Sequence, residues 1–413
     1  MRFFSNNNRF LIGCMAYLVY ATNFFHYKNW DSTLGGWISY FVALLIFWIF
    51  INTYKKIYYK SVFSHVIVFL IFVPILQTFS KVMIYHESLY DERGLYTQLI
   101  AFLFFYIFQA KQIKEKDVVR AITIVGFVVF FIQICQVLNP SSAVFGVYRP
   151  DDLDHGREIA EERNNLYRFR LGTDFITLFC FYFSWGALQE KYSRKRLFIF
   201  VVFAVSLYLY LTRQLMFVSL LAICCTFLFV KKTKIKIWKF ILVALVVGLF
   251  FVRYASALFG ELLDKTMKEM DDSNIRVLAA TYYWERITEN PVFFLIGHGP
   301  INELLYLQEY YKFFTNDVGF IGEWFLYGLL WLILYGYILF LILKKYAKQI
   351  PLYIKLFAFG TFLNSIMIFP YRTSYEFFIW TVVLYIASLY VDKQVQLGTD
   401  TTHNEILNNN TSI

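Results

Sequence analysis

The sequence predicts an all-α fold, a polytopic integral membrane helical bundle of about twelve transmembrane helices. Three observations lead to this fold class. Of the 413 residues, 59% are hydrophobic, 22% are aromatic and only 16% are charged, which lies outside the range of ordinary soluble domains. Apolar runs close to the length needed to cross a bilayer recur along the whole chain. Short basic clusters separate these runs, as expected for the loops between membrane helices.

Each predicted span is an apolar run, and several end in the aromatic residues that favour the membrane interface. We assign residues 1–392 to a single transmembrane domain. Residues 393–413, rich in Thr and Asn, are predicted to be a disordered cytoplasmic tail. The predicted spans, in chain order, are residues 10–25, 37–51, 63–79, 95–109, 119–138, 171–188, 197–211, 214–230, 237–251, 318–343, 352–369 and 374–391.

The charge of the connections predicts the orientation of the bundle. Every second connection carries a basic cluster, and such clusters mark cytoplasmic loops. Both termini are therefore predicted to be cytoplasmic, and two long loops, approximately residues 139–170 and 252–317, to face outward. Binding and catalytic residues concentrate in loops, so function is expected in these two. The basic clusters are Lys55, Lys56 and Lys60; Lys111, Lys114 and Lys116; Lys191, Arg194, Lys195 and Arg196; Lys231, Lys232, Lys234 and Lys236; and Lys344, Lys345 and Lys348.

Several function classes are disfavoured by the same sequence. The net charge of +10 does not indicate nucleic-acid binding, because most lysines lie at the ends of apolar runs, next to anionic lipid head groups. All five cysteines fall inside apolar runs, which suits neither disulfides nor metal ligands. The chain also lacks a Gly-Lys-Ser/Thr phosphate loop, a His-Glu-x-x-His motif and a Gly-x-Ser-x-Gly motif. We therefore expect no metal and no cofactor.

Arginine is the candidate functional residue on the outer side. Its planar, permanently charged guanidinium binds phosphate or carboxylate in a forked geometry. Arg213 lies where two apolar runs meet almost without a linker, and an ionisable group near the membrane interior indicates function. Arg276 and Arg286 are spaced to share one face of a helix that is predicted to end before Pro291. The arginines predicted to be solvated loop charges, because acidic residues surround them, are Arg149, Arg157 and Arg163.

Four stretches of the chain carry a family resemblance. Residues 167–173, Tyr-Arg-Phe-Arg-Leu-Gly-Thr, are similar to an Arg-x-Gly-Thr motif that opens a span. Residues 211–213, Leu-Thr-Arg, are similar to a Thr-Gly-Ser-Arg hairpin without its Gly-Ser pair. Residues 276–299 hold an Arg, Trp, Asn-Pro, Gly-x-Gly series, and residues 316–322 with 327–328 resemble the segment that re-enters the membrane after it. In this order, the four stretches resemble the bacterial O-antigen polymerase and O-antigen ligase superfamily, the Wzy and WaaL type of membrane glycosyltransferase.

The resemblance, which covers residues 168–330, implies an inverting, metal-independent glycosyltransferase. Its donor would be a glycan linked to undecaprenyl diphosphate, and its acceptor a second lipid-linked repeat unit. Such a polysaccharide polymerase would lie in the bacterial inner membrane and build O-antigen, capsule or exopolysaccharide on its outer face. Its expected partners are these lipid-linked oligosaccharides, membrane lipids, a chain-length regulator and a flippase.

The resemblance also implies roles for individual residues. Arg213, Arg276 and Arg286 would bind the diphosphate leaving group, and Arg170 would support the same site. Arg213 and Arg276 would act directly on the departing group, so we count them as catalytic.

Two acidic residues and one histidine complete the candidate site. Asp317 would be the general base for the acceptor hydroxyl, although an Asp before a span is also a good helix cap, and both roles are compatible. Glu323 follows roughly a turn and a half later and is the reserve base. His298, between Gly297 and Gly299 in a predicted turn, either contacts substrate or supports the turn.

Alternative functions remain open at this point. An O-antigen ligase shares the donor but transfers the whole chain to lipid A core or protein; ligases often carry His-Asn where this chain has Asn316-Asp317, which favours the polymerase. A lipid-linked oligosaccharide flippase would have about twelve to fourteen spans but is expected to lack the long outer loop. A membrane-bound acyltransferase would need a histidine inside a span, and only His65 lies in one.

Overall fold

The computed structural model describes residues 6–22, 32–53, 61–85, 99–140, 160–163, 166–169, 171–210, 212–229, 275–299, 318–366 and 373–410. This part of the chain is helical apart from one short antiparallel hairpin. The hairpin, β1 (Ala160–Arg163) and β2 (Leu166–Phe169), lies in the first predicted outer loop, and its register places Glu161 opposite Arg168.

The helices follow one another in the order of the predicted spans. A short 3₁₀ turn, Ile100–Phe102, leads into α4, and a π-helical turn, Leu341–Lys345, follows α12. The described helices are α1 (Asn6–Ala21), α2 (Ser32–Thr53), α3 (Val62–Tyr85), α4 (Leu103–Lys111), α5 (Glu115–Leu138), α6 (Asp174–Glu190), α7 (Arg194–Leu209), α8 (Arg213–Cys224), α9 (Thr226–Phe229), α10 (Ile275–Glu289), α11 (Pro291–Ile296), α12 (Gly319–Phe340), α13 (Leu352–Asn364) and α14 (Ser374–Asn410).

A helix overlaps every predicted span except 237–251, which lies outside the described residues. Within the described residues, four helical stretches are long and apolar enough to cross a membrane: Val62–Ser80, Glu115–Leu138, Gly319–Lys345 and Ser374–Asp392. Shorter apolar helices are Trp37–Thr53, Ile100–Lys111, Gln214–Cys224 and Leu352–Asn364. The structure therefore is an apolar helical bundle with candidate membrane spans, while the number of twelve crossings stays a prediction.

Helix α14 is longer than the span predicted from the sequence. It continues to Asn410, through the segment 393–410 that is predicted to be disordered. Its apolar part, Ser374–Asp392, is the most deeply buried of the four candidate spans. Packing fixes this part as a helix, and propagation of an existing helix is much easier than nucleation. The polar residues that follow can therefore continue the same helix.

Aromatic side chains hold the centre of the bundle together. The ring of Phe357 in α13 lies 5.5 Å from the ring of Trp380 in α14 and 5.8 Å from that of Phe179 in α6. The rings of Phe105 and Phe108 in α4 lie 6.1 Å and 5.2 Å from Tyr385 in α14. Each such pair adds about 0.5–1.5 kcal/mol to the burial of its rings. The contacts make α4, α6, α13 and α14 one packed unit.

The helix ends predicted to be cytoplasmic meet at one end of this unit. The carboxylate of Glu115, at the start of α5, accepts hydrogen bonds from the Tyr353 hydroxyl at 2.6 Å and the Tyr390 hydroxyl at 2.7 Å. Tyr353 lies at the start of α13, and Tyr390 near the end of the apolar part of α14. Lys111, at the end of α4, has its ammonium nitrogen 5.1 Å from the ring centre of Phe10. The basic clusters of the sequence predict that these four helix ends lie on the same side of the membrane, the cytoplasmic side.

Further hydrogen bonds between helices lie toward the opposite end of the bundle. The Ser206 hydroxyl of α7 donates to the amide oxygen of Gln133 in α5 at 2.6 Å. Tyr210, which follows α7, contacts the hydroxyl of Thr173, the residue before α6. Hydrogen bonds between membrane helices contribute about 0.6–2 kcal/mol each. They hold α5, α6 and α7 together where the chain enters the predicted outer loops.

The predicted topology can be tested by thiol labelling in a variant without the native cysteines. Ser142→Cys and Ser273→Cys, in the two predicted outer loops, should react with a membrane-impermeant maleimide in intact spheroplasts. Lys191→Cys, an exposed position at the predicted cytoplasmic end, should react only after permeabilisation. Labelling of position 191 but not of position 273 in intact spheroplasts would invert the orientation.

Candidate functional site

A break in α12 organises the candidate site. Gly328, inside this helix, has φ 77° and ψ 175°, a conformation that residues with a side chain rarely adopt. A Cβ on Gly328 would overlap the backbone of Ile296 and Gly297, and a Cβ on Gly297 would overlap the backbone of Gly328. The two glycines therefore let the turn after α11 touch the broken helix directly.

The turn after α11 also supplies the hydrogen bonds that the break leaves open. The backbone N–H of His298 donates to the carbonyl oxygen of Phe325 at 2.6 Å, and that of Gly299 donates to Leu326 at 2.8 Å. The side-chain amide of Gln77 in α3 also donates to the Leu326 carbonyl. Where a helix is interrupted, its last carbonyls lose their usual partners one turn further on. The Gly-His-Gly motif thus fastens α11 to α12 at the break.

Alanine at either glycine of this contact should destabilise the protein. Gly328→Ala and Gly297→Ala force a side chain into a left-handed conformation, which costs about 1–3 kcal/mol, and the backbone overlap adds to this cost. We expect a lower melting temperature in detergent for both. Gly336→Ala is the matched control in the same helix, because nothing lies within 4 Å of its added Cβ. Equal melting temperatures for Gly328→Ala and Gly336→Ala would contradict this account.

The side chain of His298 contacts the protein on three sides. Its ring stacks between Phe293 and Phe325, with centroid distances of 4.3 Å and 4.6 Å and interplanar angles of 19°. Its Nε2 lies 3.1 Å from the carbonyl oxygen of Arg286. A carbonyl only accepts, so Nε2 carries the proton and donates. These contacts support the structural role of His298, while its contact with substrate stays a prediction.

Arg286 lies on the exposed side of α10. Its guanidinium donates to the Glu289 carboxylate at 3.1 Å and lies 5.5 Å from the ring centre of Tyr282. Partial burial acts to lower the pKa of this guanidinium, but the hydrogen bonds and charges of Glu289 and Tyr282 outweigh it and raise the pKa above its usual value. Ten residues of helix, about 15 Å, separate Arg286 from Arg276. The structure does not bring these two arginines together.

Arg213 begins α8 immediately after the predicted hairpin. Its side chain lies outside the described part of the structure, and so does that of Arg276, so their backbone positions define the site here. The next residue, Gln214, donates its side-chain amide to the carbonyl oxygen of Asn364 at 3.1 Å. The start of α8 therefore lies against the end of α13.

The start of α12 lies against the same end of α13. A Cβ on Gly319 would overlap the backbone of Ser365 and Ile366. The preceding residue, Val318, is buried in one cluster with Ala279 of α10. Position 276 falls about one helical turn before Ala279. Arg213 therefore begins a helix that meets the end of α13 where the start of α12 also meets it, and Arg276 begins a helix that packs against α12.

Glu323 is a fully buried carboxylate in the outer piece of α12. It lies close enough to the hydroxyl of Tyr335 to act on it electrostatically, and that hydroxyl is 3.1 Å from the hydroxyl of Ser365. In an unbroken helix about 18 Å would separate positions 323 and 335. The break at Gly328 lies between these two positions and brings them closer than a straight helix would.

Two predicted site residues, Asp317 and Arg170, lie outside the described residues. Each directly precedes a described segment: Asp317 is next to Val318, and Arg170 is next to Leu171, three residues before the start of α6. Within the described ranges, no three His, Cys, Asp or Glu side chains come together as a metal site.

Asn364 is a candidate site residue that the sequence patterns do not single out. It ends α13 and is fully buried, and neither atom of its carboxamide has a hydrogen-bond partner within the structure as described. The one available signal was polarity, because Asn364 and Ser365 interrupt the apolar run predicted as span 352–369.

Comparison with known proteins does not extend this picture. No protein-family model matches the chain, and no curated protein sequence matches it either.

Proposed function

We propose that this protein is a polysaccharide polymerase that joins polyprenyl-diphosphate-linked repeat units on the outer face of the bacterial inner membrane. One observation carries the proposal: two arginines from separate motifs of the family resemblance begin helices near the start of α12, because the helix of Arg213 meets the end of α13 that α12 also meets, and the helix of Arg276 packs against α12. Asp317, the proposed base, immediately precedes this helix start in the chain.

The proposed reaction is a single inverting displacement. The oxygen of an acceptor sugar hydroxyl bonds to the anomeric carbon of the donor sugar as the bond from that carbon to the diphosphate oxygen breaks. The hydroxyl proton passes to Asp317, and polyprenyl diphosphate leaves with the bonding electron pair. Negative charge grows on the diphosphate during this step, and guanidinium groups already in place stabilise it. Arginine therefore supplies the positive charge that a metal ion supplies in other reactions of phosphate groups.

Glu323 fits this scheme as a positioning residue. A carboxylate that is fully buried needs cationic or hydrogen-bonding partners to remain charged. Glu323 belongs to α12, against which the helix of Arg276 packs, so we propose that its carboxylate orients a guanidinium group of the diphosphate site. It remains the reserve base, because it also lies beside the helix start that follows Asp317.

The function can be tested with purified protein in liposomes and a synthetic undecaprenyl-diphosphate repeat unit. A ladder of products that differ by one repeat unit is expected, and EDTA should not abolish it. Transfer of the glycan only to added lipid A core would instead indicate the ligase. Movement of the lipid across the bilayer without bond formation would indicate the flippase.

A further inference from the structure

The burial of the Asn364 carboxamide lowers the stability of this bundle. Removing a carboxamide from water without giving it hydrogen bonds is unfavourable, and buried polar groups are normally paired. Asn364 is fully buried, yet its carboxamide has no hydrogen-bond partner in the described part of the chain. Such a group is available to form hydrogen bonds with a ligand.

The surroundings of Asn364 point to the same conclusion. Its backbone carbonyl accepts the hydrogen bond of Gln214, the neighbour of Arg213, so it lies next to the proposed diphosphate site. The following residue, Ser365, touches the start of α12 and shares a hydrogen bond with Tyr335. Asn364 therefore sits where the part of the donor next to the diphosphate would lie.

The chemistry of the amide selects the group that it binds. A carboxamide presents two N–H donors and a carbonyl acceptor, whereas diphosphate oxygens only accept. Sugar hydroxyls donate and accept at the same time, so a sugar ring can satisfy both ends of the amide. We propose that Asn364 binds the hydroxyl groups of the donor sugar that is attached to the diphosphate. This inference rests on the proposed function and names the part of the substrate that Asn364 recognises.

The test compares two soluble probes, farnesyl diphosphate and its glucose-linked form, in binding to the purified protein. The wild type should bind the glucose-linked probe about tenfold more tightly, a modest gain for two added hydrogen bonds. Asn364→Leu should bind both probes equally, with affinity for farnesyl diphosphate unchanged. Leucine is close in size and suits a buried apolar site, so the melting temperature should be equal or higher. Asn364→Ala is measured alongside and should give the same loss of preference.

Gln189 provides a matched control. It is another buried amide without a hydrogen-bond partner among the described residues, but it lies near the end of α6 that is predicted to be cytoplasmic. Gln189→Leu should keep the tenfold preference. The inference is overturned if either Asn364 variant keeps that preference, or if the wild type binds both probes equally. A wild type that binds neither probe would instead count against the proposed function itself.

Discussion

Arg213→Lys and Arg276→Lys should each reduce polymer formation by about two to three orders of magnitude, the usual cost of removing one donor that stabilises developing charge. Lysine keeps the positive charge but loses the planar fork that can hold two diphosphate oxygens at once. Both positions lie at helix starts, so neither change should disturb the apolar core. The measurement is the rate of ladder formation in liposomes at equal protein content.

Arg194→Lys is the matched control, because Arg194 is exposed at the start of α7, at the predicted cytoplasmic end. It should retain wild-type activity. Arg157→Lys, among the acidic residues of the first outer loop, should also be near neutral. Near-normal polymer from Arg276→Ala would remove Arg276 from the site, and wild-type chain length from Arg276→Lys would show that charge alone suffices.

The second large effect is expected at the two acidic residues, and the pH dependence should separate their roles. Asp317→Asn removes the proposed base and should lower the rate by about two to four orders of magnitude. The rate that remains should no longer fall as the pH is lowered, because that fall reports protonation of the base. Glu323→Gln should also lower the rate, but the fall toward acid pH should persist, because Asp317 still titrates.

Gln is nearly isosteric with Glu, so loss of activity in Glu323→Gln at an unchanged melting temperature separates positioning from folding. Tyr335→Phe, which removes the hydroxyl that is hydrogen-bonded to Ser365 without removing the ring, is a milder control. If Glu323→Gln abolishes the fall in rate toward acid pH and Asp317→Asn leaves that fall intact, Glu323 is the base and the assignment of the two residues is reversed.

Local sequence signals were sufficient for several elements. Pro291 has no backbone N–H and suits the first turn of a helix, and α10 accordingly ends at Glu289 before α11 begins at Pro291. The side chain of Asn290 caps α11 by accepting from the N–H of Val292 at 2.9 Å. The separation of α7, which ends at Leu209, from α8, which begins at Arg213, likewise coincides with a short polar interruption between apolar runs.

Local signals could not predict the break in α12. Hydropathy treats residues 318–343 as one continuous span, and a single glycine is compatible with a straight helix. Gly328 is bent because Gly297 packs against its backbone and the turn at His298 takes over the freed carbonyls. This contact joins residues about thirty positions apart, so no window of sequence contains it.

The sequence by itself determined the helical, apolar nature of the chain, the order of its helices and the residue types suited to a phosphate-bearing ligand. These properties follow from composition, periodicity and charge, which act locally. Tertiary structure alone decided that Arg286 is paired with Glu289 away from Arg276 and that His298 is stacked between two phenylalanines. It also decided that Glu323 is buried and that Asn364 is buried beside the start of α8. Burial and hydrogen-bond pairing depend on which distant helix ends meet, and only the packing of the bundle fixes that.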